Sequence, residues 1–331
     1  MKAIVYRSYG NPDVLRVEDV ARPEPGDGEV LVQNHAVSIN AWDWEMLTGR
    51  PLEYRLLSGI FSPRKKMIHG CDIAGRVVSA GKGVRTLSVG DEVFGDLSEH
   101  GWGAYAEYTC APESSLRRKP AEMTVIEAAC LPHGGNLAVQ GLVDFGNVKA
   151  GQRVLINGGG GSTGTLAIQI AKLLSAEVTA VDHTTKLEKM LELGADHVID
   201  FTQSDFTRDR NRYDLVFDVK TDRSAFRYRR SLRPNGAYVT VGGNSLYILQ
   251  AVSLGKLSRK CRMHLLPYVA NKDSDYLVEL YQAGKLKPVI DRCFPLEKTA
   301  EAFRYFGEGR CTGKVVVTVD SEAWGQSKGT G

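Results

Sequence analysis

The residues in this chain most clearly spaced for chemistry are glycines. Residues 154–174 read VLINGGGGSTGTLAIQIAKLL. Gly159, Gly161 and Gly164 fit G-x-G-x-x-G. In that pattern the first glycine permits a tight turn, the second lets backbone approach a pyrophosphate, and the third brings helix against strand. Ser162 and Thr163 open the following stretch, where the unpaired N–H groups of a helix start favour phosphate. Asp182 ends the run VTAVD about twenty residues further on, where an acidic residue can accept hydrogen bonds from a ribose. Together these residues predict a dinucleotide site.

Such a loop works only between a strand and a helix, and the surrounding pattern supplies both. Residues 154–156 form a short apolar run, and Leu166, Ile170, Leu173 and Leu174 recur at helical spacing. From about Met123 onward, strand and helix signals alternate. Strands are expected at 178–181, 197–199, 214–217, 237–241 and 263–268, with helices around 184–193, 222–232 and 273–283. This alternation marks βαβ units and a doubly wound parallel sheet. Residues 124–145 read as one helix interrupted near 132–135. Residues 1–120 instead read as short strands punctuated by Gly- and Pro-rich turns. Residues 289–294 and 314–319 look like strands again, flanking a helix at 296–306. The chain is therefore expected to return to its first domain, although two sequential domains fit the periodicity as well.

The 331 residues suggest about two domains. A hydrophobic fraction of 43% and a net charge of +3 fit an ordinary globular protein and argue for neither nucleic acid nor membrane as a partner. Arginine and lysine clusters at 64–66, 117–119, 227–230 and 259–262 read as solvated faces or as the border of an anionic cofactor. The six cysteines include no CxxC pair, so neither a disulfide framework nor a structural zinc knuckle is expected. Without a signal-peptide pattern or a run of about 20 apolar residues, a cytoplasmic location is expected.

Several stretches carry a family likeness. They include MKAIVYRSYGNPDVLRVEDV at the start, AVSINAWDWEMLTG (36–49), HGCDIAGRVVSAGKGV (69–84), VGDEVFG (89–95), GAYAEY (103–108), AACLPHGG (128–135), LGADHVIDF (193–201), GAYVTVGG (236–243) and TGKVVVTV (312–319). In order and spacing the chain resembles the medium-chain dehydrogenase/reductase superfamily, specifically its zinc-lacking quinone oxidoreductase branch. The resemblance implies an α/β fold with a GroES-like catalytic domain at 1–122 and 285–331 and a Rossmann domain at 123–284. It implies reduction of a small-molecule electron acceptor, a quinone or α,β-unsaturated carbonyl, by hydride from NAD(P)H, and a homodimer. A pathway-specific dehydrogenase or enoyl-thioester reductase, and a low-turnover dinucleotide-binding protein, are the alternatives.

Zinc-dependent relatives place Cys where Asn40 stands, His at Cys71 and another Cys near Leu137. A catalytic zinc needs three N, S or carboxylate ligands, so no metal is expected, although His69, Cys71, Asp72 and Asp43 are potential donors. Without a Lewis acid, an electron-poor acceptor is easier to serve than an alcohol. By resemblance, Asn40 and Asp43 line the catalytic cleft, where Asn40 could donate to a developing oxyanion; its alternative role is a helix N-cap. Trp42, Trp44 and Tyr54 are candidates for an aromatic substrate wall or for core. His133 reads as a substrate-side general acid or a buried structural histidine. Asp218, Gly242, Gly243 and Tyr268 are implied cofactor contacts, with Asp218 alternatively a turn cap. Asp182 favours NAD, whereas Lys186 could hold the 2′-phosphate of NADP. Both nucleotides stay open.

Overall fold

The computed structural model describes residues 1–52, 55, 59–63, 68–257 and 261–319. The chain divides into two compact units. The first comprises Met1–His133, Ala270–Gln282 and Ile290–Gly331, and the second Gly134–Val269 with Ala283–Val289. Residues 123–133 and 270–282, assigned from sequence to the Rossmann part, thus group with the β-rich unit, and 285–289 with the Rossmann unit.

The β-rich unit begins with an antiparallel pair, β1 (Lys2–Val5) and β2 (Arg16–Asp19), in which Lys2 faces Asp19. Five strands follow: β3 (Glu29–Ser38), β4 (Asp72–Ala80), β5 (Glu92–Asp96), β6 (Tyr108–Pro112) and β7 (Arg117–Arg118). Helix α1 (Ala41–Thr48) lies between β3 and β4, and α2 (Val125–Cys130) follows β7. Helix α3 (Pro132–Val139) continues into a π-helical segment at Gln140–Phe145, so the interrupted helix expected at 124–145 is three short pieces.

In the Rossmann unit, β8 (Arg153–Asn157), β9 (Glu177–Asp182), β10 (His197–Asp200), β11 (Tyr213–Asp218), β12 (Leu232–Thr240) and β13 (Arg262–Leu265) form one parallel sheet in the order β10-β9-β8-β11-β12-β13. That order reverses between β8 and β11, which is where sheets of this kind bind ligands. Helices α4 (Ser162–Leu173), α5 (Leu187–Glu192), α6 (Ala225–Ser231) and α7 (Ser245–Leu257) accompany it. The inner strands β8, β9, β11 and β12 are buried along most of their length, as strands covered on both faces must be, whereas the edge strands β10 and β13 are buried at one residue each. Helix α7 falls in a stretch that periodicity left without an element.

The chain then returns. Helix α8 (Ser274–Gln282), β14 (Ile290–Pro295), α9 (Thr299–Gly307) and β15 (Lys314–Thr318) belong to the first unit. Strand β15 pairs antiparallel with β3, Val317 opposite Val37. Its apolar residues Val315 and Val317 join Val37, Ile39, Ile73 and Leu47 in one buried core. Burial of the C-terminal strand against the first sheet decides for the inserted arrangement over two sequential domains. No helix among the described residues is long and apolar enough to cross a membrane.

Candidate active site

The glycine turn of the Rossmann unit is held by backbone. Gly158 and Gly159 both donate N–H to the Val181 carbonyl, at 2.9 and 3.0 Å, and Gly161 caps α4. Gly158 has φ of +87°, a conformation that favours glycine. A Cβ on Gly164 would lie 2.0 Å from the Gly158 carbonyl oxygen, and one on Gly159 would lie 2.9 Å from Ala180 Cβ. A Cβ on Gly161 would meet nothing nearer than 3.4 Å. Two glycines therefore serve packing, while a Cβ on the third would make only an ordinary contact at the start of the helix, where first-turn N–H groups have no partner within the helix itself. This cradle fits a pyrophosphate.

Asp182 turns back onto the same loop. Its Oδ2 accepts from the Gly160 N–H at 3.0 Å and its Oδ1 accepts from the His183 N–H at 2.8 Å. Lys186 Nζ stands 3.3 Å from Asp182 Oδ1, and both side chains are buried. The acidic and basic residues that argue for different nucleotides are thus paired with each other. Asp218 is fully buried, which raises its carboxyl above the ordinary range. Its oxygens accept from Asn157 Nδ2 (2.9 Å), the Lys220 and Thr221 N–H groups (3.1 and 2.9 Å) and the Tyr238 hydroxyl (2.7 Å). The geometry gives it the turn-capping part. Gly242 and Gly243 follow β12 with φ of +151° and +115°; a Cβ on Gly242 would meet nothing within 4 Å. Tyr268 is half-buried beyond β13.

The β-rich unit holds a second polar site, made of buried charge. Lys314, at the start of β15, sends its ammonium to Ser38 Oγ (2.9 Å), Asn40 Oδ1 (2.7 Å) and Asp72 Oδ2 (2.9 Å). Asn40 Nδ2 donates to Asp72 Oδ2 at 3.0 Å and lies 3.4 Å from Cys71 Sγ. Asn40 is also the N-cap of α1, and its own N–H donates to Asp43 Oδ2 at 2.8 Å. Its amide nitrogen thus faces Asp72 and Cys71, and its amide oxygen accepts from Lys314. Asp43 accepts as well from the Gly70 N–H at 3.2 Å. Burial, reinforced by Asp72, pushes its carboxyl up to about 7.

His133 completes this cluster. Its N–H donates to Asp72 Oδ1 at 2.9 Å, and its ring Nδ1 is 2.8 Å from Asp96 Oδ2. Burial alone would lower its imidazole, but the Asp96 carboxylate outweighs burial and raises it above 6.5. Trp42 packs 5.9 Å from that ring and edge-on to Trp102 at 5.3 Å. Trp44 packs instead against the core and over Gly307. Tyr54 lies outside the described residues.

Sequence reasoning missed Lys314, Ser38, Asp96 and Trp102. The one available signal was a lysine opening the otherwise apolar strand KVVVT.

The donors do not suit a zinc ion. Among the described residues, Cys71, Asp96 and His133 alone bring potential ligand atoms together, within 4.8 Å. Asp96 is already committed, through Oδ1 to the Ser98 N–H and through Oδ2 to His133. Cys71 faces an amide N–H, and burial together with Asp96, Asp43 and Asp72 holds its thiol well above the ordinary value. The cation in this cluster is the Lys314 ammonium. Of the other potential donors, Asp72 pairs with Lys314, and His69 stacks on Tyr6 at 4.5 Å with neither ring nitrogen hydrogen-bonded.

Comparison with known proteins covers both units. Residues 26–121 match the alcohol dehydrogenase GroES-like domain, and residues 193–317 match a family described as zinc-binding dehydrogenase. A chloroplastic quinone-oxidoreductase QR1 from Triphysaria versicolor is 32% identical over 96% of this chain and 98% of its own length. The chain belongs to the medium-chain dehydrogenase/reductase superfamily, in its quinone oxidoreductase branch. A chloroplastic NADPH-dependent alkenal/one oxidoreductase from Arabidopsis thaliana is 33% identical, over 96% of this chain and 79% of that one. The solved quinone oxidoreductase from Coxiella burnetii superposes with a TM-score of 0.86 at 28% identity, covering 97% of this chain and 99% of its own.

Proposed function

We propose that this medium-chain reductase transfers hydride from NAD(P)H to quinones or α,β-unsaturated carbonyls, without a metal. The observation that carries the reading is the open cradle at Gly161 ahead of the first N–H groups of α4. Gly159, Gly161, Ser162, Thr163 and Gly164 would hold the pyrophosphate, with Gly242, Gly243 and Tyr268 as further contacts. When bound, a dihydronicotinamide supplies the hydride. A quinone or enone spreads the incoming charge into its own carbonyl, so the protein's share is positioning and charge stabilisation. The Lys314 ammonium, already placed beside Asn40 and Asp72, supports a reaction that needs no metal there.

The Asp182–Lys186 pair supports acceptance of both nucleotides, because each charge is answered by the other. None of the six cysteines is joined in a disulfide, which suits a reducing, cytoplasmic setting. A homodimer joined at the β13 edge would cover Leu265 and, on neighbouring α7, Leu246, Leu249 and Leu257, which are 40–83% exposed. A sedimentation mass near one chain would contradict that assembly.

The decisive test is oxidation of NADH and NADPH with 9,10-phenanthrenequinone and with an α,β-unsaturated ketone, in chelator and with zinc measured. Turnover of either acceptor at well under one zinc per chain is expected. Turnover of enoyl thioesters alone would favour the pathway-specific reading, and nucleotide binding without turnover the low-turnover one.

A further inference from the structure

The small net charge of this chain is unevenly spread. Residues 205–233 hold eight arginines and one lysine against five aspartates, a surplus of +4 in a chain whose total is +3. The fold of the Rossmann unit gathers most of these arginines on one face. The segment between β10 and β11 runs alongside α6. Asp205 accepts from Arg223 (2.7 Å) and Arg227 (3.4 Å), and further on the Asn211 and Arg212 N–H groups donate to the Arg230 and Ser231 carbonyls at 3.1 and 2.8 Å. Helix α6 turns Ala225, Tyr228 and Ser231 inward. Phe226, Arg227, Arg229 and Arg230 are left outside, beside the exposed Arg208 and Arg210.

Only some of these charges are answered. Asp205 serves Arg223, Arg227 and, at 4.0 Å, Arg208, while Asp209 pairs with Arg212. A cavity of about 430 Å³ lies among those pairs, lined by Asp205, Arg208, Asp209 and Arg212 with neutral neighbours, so its charges balance and it selects no anion. Among the described residues, Arg210, Arg229 and Arg230 have no ion pair. The surplus therefore sits on the outer face, not in the cavity. A helix C-terminus favours cations, which accounts for Arg229 and Arg230 but not for Arg208 or Arg210. The exposed cations on this face are arginines, whose flat, weakly hydrated fork grips phosphate with two N–H groups. In their midst Phe226 is 55% exposed, one helical turn from Arg230. A nucleic-acid strand would call for a track of stacking rings, and one phenylalanine is not a track. A plane of anionic headgroups asks only for a field of positive charge and an apolar anchor.

We propose that the α6 face of the Rossmann unit docks on an anionic lipid surface, with its arginines against headgroup phosphates and Phe226 at the acyl boundary. The docking is peripheral and reversible, and it needs neither bound nucleotide nor turnover. It therefore stands apart from the reductase reading, and either can fail without the other. Because the attraction is mostly charge on charge at an exposed face, salt must release it.

Co-sedimentation of the full chain with phosphatidylcholine vesicles, with and without phosphatidylglycerol, tests this. Binding is expected only where phosphatidylglycerol is present, and it should vanish at roughly 1 M salt, where the screening length falls to about 3 Å. The triple variant Arg210→Gln, Arg229→Gln, Arg230→Gln removes charges that pair with nothing in the fold. It should weaken vesicle partitioning about a hundredfold, with the melting temperature and the turnover of a dissolved quinone unchanged. Phe226→Ser should weaken it less, by about fivefold. Equal binding to neutral vesicles, no binding to anionic ones, or a triple variant that partitions like the wild type would overturn the proposal. Displacement from the vesicles by a single-stranded oligonucleotide or by polyglutamate, at a charge concentration below that of the lipid, would overturn it in favour of that partner.

Discussion

In the Rossmann unit the polar site is backbone, and in the β-rich unit it is buried side-chain charge. The glycine turn works because Gly159 and Gly164 leave no room for a Cβ, while Gly161 leaves space for a ligand. The second site works because Lys314, Asp72, Asn40, Ser38, Asp96 and His133 satisfy one another inside a core. A backbone site tolerates no added atoms but little depends on its charges. A charged buried site tolerates changes of shape better than the loss of one partner. The two should therefore fail in different ways.

The sharpest break is Gly164→Ala. With the Gly158 oxygen 2.0 Å from the new Cβ and Gly159 Cα at 2.7 Å, the strand and helix must part. We expect at least about a hundredfold loss of dinucleotide affinity, with a stability loss of about 1–3 kcal/mol. Gly161→Ala should lose affinity with stability nearly intact. Fluorescence titration of the reduced nucleotide beside a thermal melt separates the two, and a Gly164→Ala protein that binds normally would refute the packing argument.

Next comes Lys314→Met, which leaves Asp72 buried without its cation. Removing one partner of a buried pair costs about 3–5 kcal/mol, whereas replacing both is often close to neutral. Lys314→Met should therefore lower the denaturant midpoint steeply, and Lys314→Met with Asp72→Leu should recover part of it. If the single variant unfolds at the wild-type midpoint, the ammonium is not holding this cluster.

Asp43 gives a pH signature to the same site. Its folded carboxyl is raised to about 7 against an ordinary value near 3.8, so it favours the folded state only while protonated in both states. That contribution is fully present below about pH 3.8 and is lost as pH rises through about 7. Asp43→Asn should flatten the stability-versus-pH curve in this window, by up to a few kcal/mol. Identical wild-type and variant slopes from pH 4 to 7 would show that Asp43 is not the group responsible.

This contrast also explains what could be read before any coordinates. The glycine turn, its strand and its helix are contiguous, so residues 153–182 declared both element and chemistry. The return of β15 to β3 was suggested by an apolar run. Helix α7 was missed because its apolar residues lie partly on the exposed side, with Leu246, Leu249 and Leu257 outward, which blurs the periodicity. The buried cluster is assembled from β3, α1, β4, β5, α3 and β15, and no spacing links Lys314 to Ser38 or Asp96 to His133. Such contacts appear only when the sheet is formed. Resemblance brought Asn40 and Asp43 to notice, but not the contacts of Asn40 with Asp72, Cys71 and Lys314.

The smallest expected effect lies where the two kinds of site meet, at a charged pair resting on the glycine turn. Lys186 packs its stem on Gly160 and its ammonium on Asp182, which also accepts from the Gly160 N–H. A 2′-phosphate must compete with Asp182 for Lys186, and a ribose 2′-hydroxyl must share a carboxylate already engaged. Asp182→Asn keeps an oxygen for Gly160 and releases the lysine. The ratio of kcat/KM for NADPH over NADH should then rise about tenfold, the equivalent of roughly 1.4 kcal/mol. Lys186→Met should lower the NADPH value and leave the NADH value nearly unchanged. If Asp182→Asn gains nothing with NADPH, carboxylate competition is not what sets the preference, and the pair serves only to brace the turn.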